Sequence, residues 1–103
     1  MKIDLTTRHF ELPPKVRELI GKKERKFEKY SDKIIKCELI LSRESTNFTA
    51  EGKIDLKYGV FTSKSRGPDL GMVTTAALEK LFVQLKKEDE RIKKKWRKLK
   101  RLR

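Results

Sequence analysis

The chain has 103 residues, 36% hydrophobic and 42% charged, which leaves room for one domain around one hydrophobic core. Its 28 Lys and Arg residues outnumber 15 Asp and Glu residues, and the formal net charge of +13 predicts a polyanionic partner. The single histidine and the single cysteine, Cys37, exclude a His/Cys metal cluster and an intrachain disulfide. We therefore expect no metal or other cofactor, no small-molecule substrate and a reducing compartment.

The amino-terminal residues do not predict targeting to a membrane. Charges at Lys2 and Asp4 stand where the apolar stretch of a signal peptide is needed. No apolar run approaches the roughly 20 residues of a membrane span. We expect a cytoplasmic protein.

The first predicted elements are a strand and a helix. Residues 2–7 alternate between polar and apolar side chains, as in a half-buried strand. A helix should begin near Pro13 or Pro14, because proline is tolerated in the first helical turn, and should end at residues 31–32. Its core stripe recurs at helical spacing: Val16, Leu19, Ile20, Phe27 and Tyr30.

Three strands should follow, over residues 35–43, 48–56 and 60–63. Their clean alternation and short connections predict an antiparallel meander, with turns at Ser45-Thr46-Asn47 and Lys57-Tyr58-Gly59. The expected inward residues are Ile35, Cys37, Leu39, Leu41, Phe48, Ala50, Ile54, Leu56 and Phe61. Gly52 also lies on the inward face, where it would let a helix sit close to the sheet.

The last predicted element is a long helix after a polar loop at residues 63–68. Asp69 is the expected N-cap, and the core stripe comprises Leu70, Val73, Ala77, Leu81 and Leu85, flanked by Leu78 and Phe82. If helical as far as Leu102, this element would span roughly 50 Å, so its end should project or fray. We expect a folded domain over 1–90 and a basic extension over 91–103.

The predicted order is β-α-β-β-β-α, an α+β fold in which a four-stranded sheet carries both helices on one face. A double-stranded-RNA-binding module shares the α-β-β-β-α portion of this order. Such a module usually places lysines at the start of its last helix, whereas this chain has Pro68-Asp69-Leu70-Gly71 there. That difference argues against generic duplex binding.

The sequence does not predict an enzyme. His9 is the only histidine, and it falls in a strand-to-helix turn, where a structural role or an RNA contact is expected instead of general-base chemistry. Gly52, Gly59, Gly67 and Gly71 match no phosphate-binding loop.

Two basic segments are candidates for binding. Seven basic residues between Lys15 and Lys29 face three glutamates, which indicates phosphate contacts or, alternatively, a solvated surface with pairs such as Glu18–Lys22. Residues 91–103 contain nine basic residues and no acid. With Ile92, Trp96 and Leu99 at helical spacing, this tail suits either an anionic membrane surface or RNA.

Several short stretches resemble one known family. Met1-Lys2-Ile3-Asp4-Leu5-Thr6, then Arg8-His9-Phe10-Glu11-Leu12 and Pro14, resemble the opening of the ribosome hibernation promoting factors, also described as ribosome-associated inhibitors or sigma-54 modulation proteins. Asp32, Ile34 and Ile35 are similar to that family's second strand. The family's final helix is similar to the last predicted helix of this chain at Asp69, Ala76-Ala77, Lys80-Leu81, Gln84-Leu85 and Lys87. The similarity covers about residues 1 to 90.

The resemblance implies a factor that occupies the messenger and transfer RNA channel of the small ribosomal subunit and idles ribosomes in stationary or stressed cells. It implies the short form, without the dimerising second domain, and a monomer away from the ribosome. The residues expected to contact ribosomal RNA are Arg8, His9, Lys22, Lys23, Arg25, Lys26, Lys29, Lys80, Lys86, Lys87 and Arg91. The alternative function is a constitutive ribosomal or RNA-chaperone protein that binds structured RNA without inhibiting translation, and a membrane-surface anchor ranks third.

Overall fold

The computed structural model describes residues 2–57 and 59–101. The four strands are β1 (Asp4–Arg8), β2 (Ile34–Glu44), β3 (Asn47–Leu56) and β4 (Gly59–Gly67). The two helices are α1 (Pro14–Phe27), which ends in a 3-10 turn at Glu28–Tyr30, and α2 (Leu70–Arg101). The predicted order of elements is confirmed.

The four strands form one mixed sheet in the order β1-β2-β3-β4. β1 runs parallel to β2, with Leu5 opposite Leu39, while the β2–β3 and β3–β4 pairs are antiparallel. β1, β2 and β4 therefore run in one direction, and both helices begin at the end of the sheet where β1 and β4 end. This α+β architecture confirms the predicted fold class, whereas the likeness to a double-stranded-RNA-binding module stays a prediction.

Both helices cover the same face of the sheet and enclose the core. Fully buried side chains from α1, the sheet and α2 meet there, among them Phe27, Leu39, Ile54, Leu78 and Leu81. As predicted, α2 crosses closely above Gly52: a Cβ at this position would lie 2.7 Å from Leu81 Cδ1 and 2.6 Å from Ser63 Oγ. Glycine at this point sets the distance between α2 and the sheet.

The beginning of β2 corrects one predicted core residue. Ile35 was expected to point inward, but it is 68% exposed, and Ile34 packs against the core instead. The register with β3 shifts between Ile34 and Lys36, which face Leu56 and Asp55 in turn. This irregularity inserts one extra residue into β2, so that the alternation changes phase at Ile35.

The prediction of a polar loop over residues 63–68 is wrong for most of that segment, because β4 continues to Gly67. Ser63 and Ser65 lie opposite Gly52 and Ala50, which are equally small, in the space beneath α2. The Ser63 hydroxyl donates a hydrogen bond of 2.9 Å to the Ala77 carbonyl of α2. Within the predicted turn before β4, Tyr58 lies outside the described residues.

The second helix is the longest element that the structure describes. Its N-cap is Asp69, as predicted, since the Met72 backbone N–H donates to Asp69 Oδ1 at 3.0 Å. The helix then continues for 32 residues to Arg101, about 48 Å at 1.5 Å per residue. The possibility that the tail continues this helix is thus confirmed as far as Arg101. Leu102 lies outside the described residues. Over the described part of the chain, no helix is long and apolar enough to cross a membrane.

Candidate RNA-binding surface

One flank of α1 is tied to α2 by charge. Lys23 Nζ donates a hydrogen bond to Glu79 Oε1 across the helix interface, and Lys26 Nζ lies 3.4 Å from the same oxygen. The hydrogen bond from Lys23 holds the pKa of Glu79 below its ordinary value, although partial burial opposes the effect. Two of the lysines predicted to bind RNA are therefore paired inside the protein.

Lys26 is also held by aromatic rings. Its ammonium lies 4.3 Å from the centroid of the Phe82 ring, a distance at which the negative face of the ring attracts a cation. Phe82 is stacked on Phe27 at 5.7 Å and tilted against Tyr30 at 5.9 Å. Because Phe27 is fully buried, this aromatic cluster anchors the position of Lys26 to the core.

Among the exposed basic residues of α1 and the 3-10 turn that follows it, we call Lys22, Arg25 and Lys29 the outer stripe. They follow one another by three and four residues, so they share one face of the helix, and all three are exposed. Across residues 2–57 and 59–101, no acidic side chain forms an ion pair with any of the three. The outer stripe is thus available to an external anion.

The predicted basic residues of α2 divide between its two flanks. Lys80 Nζ donates a hydrogen bond of 2.9 Å to the Lys64 carbonyl of β4, so Lys80 lies on the flank away from α1. Lys87 lies two turns further along that same flank. Lys86, by contrast, lies two turns beyond Glu79, on the flank that faces α1. Both Lys86 and Lys87 are exposed.

Lys86 and the outer stripe lie at the same end of the molecule. Lys23 and Glu79 are each nine residues beyond the first residue of their helices, Pro14 and Leu70, and the two helices run side by side. Lys86 is therefore level with the 3-10 turn that contains Lys29. The outer stripe and Lys86 form one surface, which we call the candidate surface.

Arg8 and His9 do not join the candidate surface. They are exposed where β1 ends, next to the start of α1, and His9 adopts a backbone φ of 71° in the tight turn that follows. The length of α1, about 20 Å, separates them from Lys29. Arg91 is likewise apart, since it lies one turn beyond Lys87 on the flank of α2 away from α1, where its Nη2 pairs with Glu88 Oε1 at 2.7 Å.

The open face of the sheet contains a basic residue that sequence analysis missed. Arg8 is opposite Ser42 of β2, Ser42 is opposite Thr49 of β3, and Thr49 is opposite Arg66 of β4. Arg8 and Arg66 therefore lie on the same face at the two edges of the sheet, about 14 Å apart at the usual strand spacing. Arg66 was missed because its strand was predicted to end at residue 63; after Phe61 the only signal was the alternation of small Ser63 and Ser65 with charged Lys64 and Arg66.

Four other charged residues of the open face form two ion pairs. Lys36 Nζ lies 2.7 Å from Glu38 Oε1, and Lys64 Nζ lies 3.7 Å from Glu51 Oε1. These contacts are exposed and contribute little to stability. They nevertheless make the centre of the open face close to neutral, in contrast to the candidate surface.

Cys37 offers no nucleophile. It is buried in the centre of β2, and burial, reinforced by the negative charge of Asp4, raises the pKa of the Cys37 thiol to about 12. A thiol in this environment stays protonated near neutral pH and serves as a small apolar group. In the part of the chain that the structure describes, no three His, Cys, Asp or Glu side chains are grouped as metal ligands.

Comparisons with known proteins agree with this fold. The family model described as "Sigma 54 modulation protein / S30EA ribosomal protein" matches residues 3–93. The chain is 25% identical over 93 residues to the ribosome hibernation promoting factor of Escherichia coli K12, and 24% identical to that of Klebsiella oxytoca. Each alignment covers 90% of this chain and 98% of the relative.

Two solved structures share the fold. A ribosomal subunit interface protein from Coxiella burnetii has a TM-score of 0.75 and 21% identity, covering 87% of this chain and 99% of that one. The N-terminal domain of Thermus thermophilus Protein Y has a TM-score of 0.73 and 26% identity, covering 84% of this chain and 98% of that one.

Proposed function

Because this chain belongs to the Sigma 54 modulation protein / S30EA ribosomal protein family, we propose that it is a ribosome hibernation factor. It binds the small ribosomal subunit in the channel used by messenger and transfer RNA, and it inhibits translation in stationary phase or stress. The names of its relatives, ribosome hibernation promoting factor and ribosomal subunit interface protein, support a ribosomal partner. The observation that carries the RNA contact is the outer stripe, three exposed cations that form no ion pair with an acid in the described part of the chain.

The candidate surface would hold RNA through its phosphates. Lys22, Arg25, Lys29 and Lys86 point charge at solvent from two neighbouring helices, and phosphate contacts of this kind set affinity and orientation without reading base sequence. Specificity would then come from the shape of folded ribosomal RNA, which must fit a convex pair of helices. The other predicted contacts would reach RNA only if the bound RNA extends well beyond the candidate surface. These residues are Arg8, His9, Lys80, Lys87 and Arg91.

Lys23 and Lys26 have a different part in this proposal. Each is already paired with Glu79, so an RNA phosphate would have to share or replace that carboxylate. We assign them to positioning α1 against α2, with RNA contact as a secondary role. Substituting Lys23 by Glu would place two carboxylates against each other at the helix interface, so such a variant would report on the fold as well as on binding.

Neutralising the outer stripe tests the RNA contact. We expect the Lys22→Gln/Arg25→Gln/Lys29→Gln variant to bind purified small subunits more weakly in co-sedimentation. The slope of log affinity against log salt should become shallower by roughly 2 to 3, since each phosphate contact contributes roughly −0.7 to −0.9. The matched control is Lys2→Gln/Lys53→Gln/Lys57→Gln, which removes the same charge from exposed positions elsewhere. Equal binding by both variants would refute the assignment of the outer stripe.

Inhibition requires a separate experiment, because the alternative is a constitutive ribosomal or RNA-chaperone protein. Added to a cell-free translation reaction at one copy per ribosome, a hibernation factor lowers output, and the outer-stripe variant restores it. Binding to small subunits without any loss of output would favour the alternative. Equal binding to small and large subunits would argue against both a specific site and the proposed channel.

A further inference from the structure

The point where α2 leaves the domain is marked by a buried acid. Asp89 is 5% exposed and forms an ion pair with Lys33, which immediately precedes β2. The Lys33 carbonyl also accepts a hydrogen bond from the Lys57 N–H at 3.3 Å, so the lysine is itself held by the sheet. On the other side, Lys93 Nζ lies 3.1 Å from Asp89 Oδ2. Asp89 therefore attaches α2 to the body at its exit.

Beyond Asp89 the helix continues for 12 more residues, about 18 Å at 1.5 Å per residue. We call residues 91–101 the distal segment. It contains eight basic residues and no acid. Arg91 and Lys93 reach back to Glu88 and Asp89, whereas Lys94 and Lys95 are exposed and make no ion pair with any residue that the structure describes.

A helix of this composition repels itself. Lys94 and Lys98 are four residues apart, as are Arg97 and Arg101, and like charges at this spacing destabilise a helix. The chain supplies no acid after Glu90 to offset the repulsion. A polyanion laid along the distal segment would relieve it, so binding and helix stability should reinforce each other.

We propose that the distal segment is a second RNA-binding element, which engages a stretch of RNA backbone separate from the one on the candidate surface. The Asp89–Lys33 contact sets the direction in which this element leaves the body. This second element rests on the proposed function, because the proposed function already places the body of the protein on ribosomal RNA. The family match ends at residue 93, so most of the distal segment lies beyond the region shared with the family.

The proposed function favours RNA over a membrane as the partner of the distal segment. Ile92, Trp96 and Leu99 are the three apolar residues of the segment, against eight basic ones. This composition by itself also suits a helix that lies on an anionic membrane, so RNA is favoured because the proposed function already places the body of the protein on ribosomal RNA. Phosphates can be contacted from the rest of the helix circumference, which is basic.

Two full-length variants test the proposal against purified small subunits and an isolated RNA hairpin. Lys94→Gln/Lys95→Gln/Arg97→Gln/Lys98→Gln removes charge, and we expect the salt slope to become shallower by roughly 3. Ile92→Pro keeps every charge but breaks the helix beyond Asp89, and we expect small-subunit affinity to fall at least about tenfold. Ile92→Ala is the matched control, because it removes the same side chain while keeping the helix.

The outcomes separate the alternatives. An unchanged salt slope in the charge variant, on both RNAs, would overturn the proposal. A loss in the charge variant with full binding by Ile92→Pro would show a flexible polycation and overturn the fixed direction. Charge-dependent binding to anionic phospholipid vesicles, with RNA affinity unchanged, would identify a membrane element. Failure of the parent protein to prefer small over large subunits would refute the proposed function, yet the hairpin would still report on the distal segment.

Discussion

Lys23 of α1 and Glu79 of α2 form an ion pair across the helix interface, and Lys26 approaches the same carboxylate at 3.4 Å. One acid thus pairs with two cations beside the outer stripe and offsets one of their two charges. Glu79 both joins the helices and limits how strongly this part of the surface attracts RNA.

Replacing Glu79 by Gln should separate these two effects. We expect RNA affinity to rise and the salt slope to steepen by up to roughly 2, because Lys23 and Lys26 become free to bind phosphates. The free energy of unfolding should fall by less than about 1 kcal/mol, since the carboxylate is more than a third exposed. Salt-dependent binding and denaturant unfolding measure the two quantities, and a salt slope equal to that of the parent would contradict the prediction.

The same pair predicts a pH dependence of stability. The pKa of Glu79 is lowered in the folded protein from its usual 4.5, chiefly by the hydrogen bond from Lys23. The stabilisation is therefore complete above pH 4.5 and is lost as the pH falls through the lower, folded-state pKa. We expect the stability difference between the parent and Glu79→Gln to be constant near neutral pH and to shrink below pH 4.5. A difference that persists undiminished at pH 2 would exclude this carboxylate as its source.

A pair of glycine substitutions tests the packing of α2. Gly52→Ala places a Cβ 2.6 Å from Ser63 Oγ and 2.7 Å from Leu81 Cδ1, and we expect a loss of about 1–3 kcal/mol. Gly21→Ala meets no atom within 4 Å and lies inside α1, so it should stabilise the protein by about 0.5–1 kcal/mol. Thermal unfolding compares them, and equal melting temperatures would disprove the close approach of α2.

Asp89→Asn tests the attachment of α2 at its exit from the domain. The substitution leaves the Lys33 ammonium, which is partly buried, without its carboxylate, and we expect a loss of about 2 kcal/mol. Glu90→Gln is the matched control, because it removes one negative charge from the next, exposed position and should change stability by less than about 0.5 kcal/mol. Denaturant unfolding of both variants decides, and similar small losses would mean that the Lys33 pair contributes no more than a surface contact.

Much of the fold could be predicted because it depends on neighbours along the chain. Pro14 starts α1, Asp69 caps α2, and the stripe from Leu70 to Leu85 packs on the sheet at the predicted spacing. Helical periodicity and capping involve residues within a few positions of each other, so local sequence is sufficient to identify them.

The errors arose in strands where the sequence does not distinguish the residues that point inward from those that point outward. Ile34 and Ile35 have the same side chain, and no local rule says which of them the extra residue of β2 will turn outward. In β4 the inward positions are Ser63 and Ser65, so the strand shows no apolar alternation after Phe61. Serines fit there because α2 passes close above them, and that closeness is a property of the packed domain.

For the candidate surface, too, some features could be predicted from local sequence and others depended on the tertiary structure. Composition and helical spacing were sufficient to show a basic face on α1 and a basic tail. Only the tertiary structure assigned Lys23 and Lys26 to Glu79, left Lys22, Arg25 and Lys29 facing the solvent, and placed Arg8 at the other end of α1. The physical reason is that periodicity is fixed by backbone geometry within one element, whereas the counter-ion of a charge depends on which element lies across from it in space.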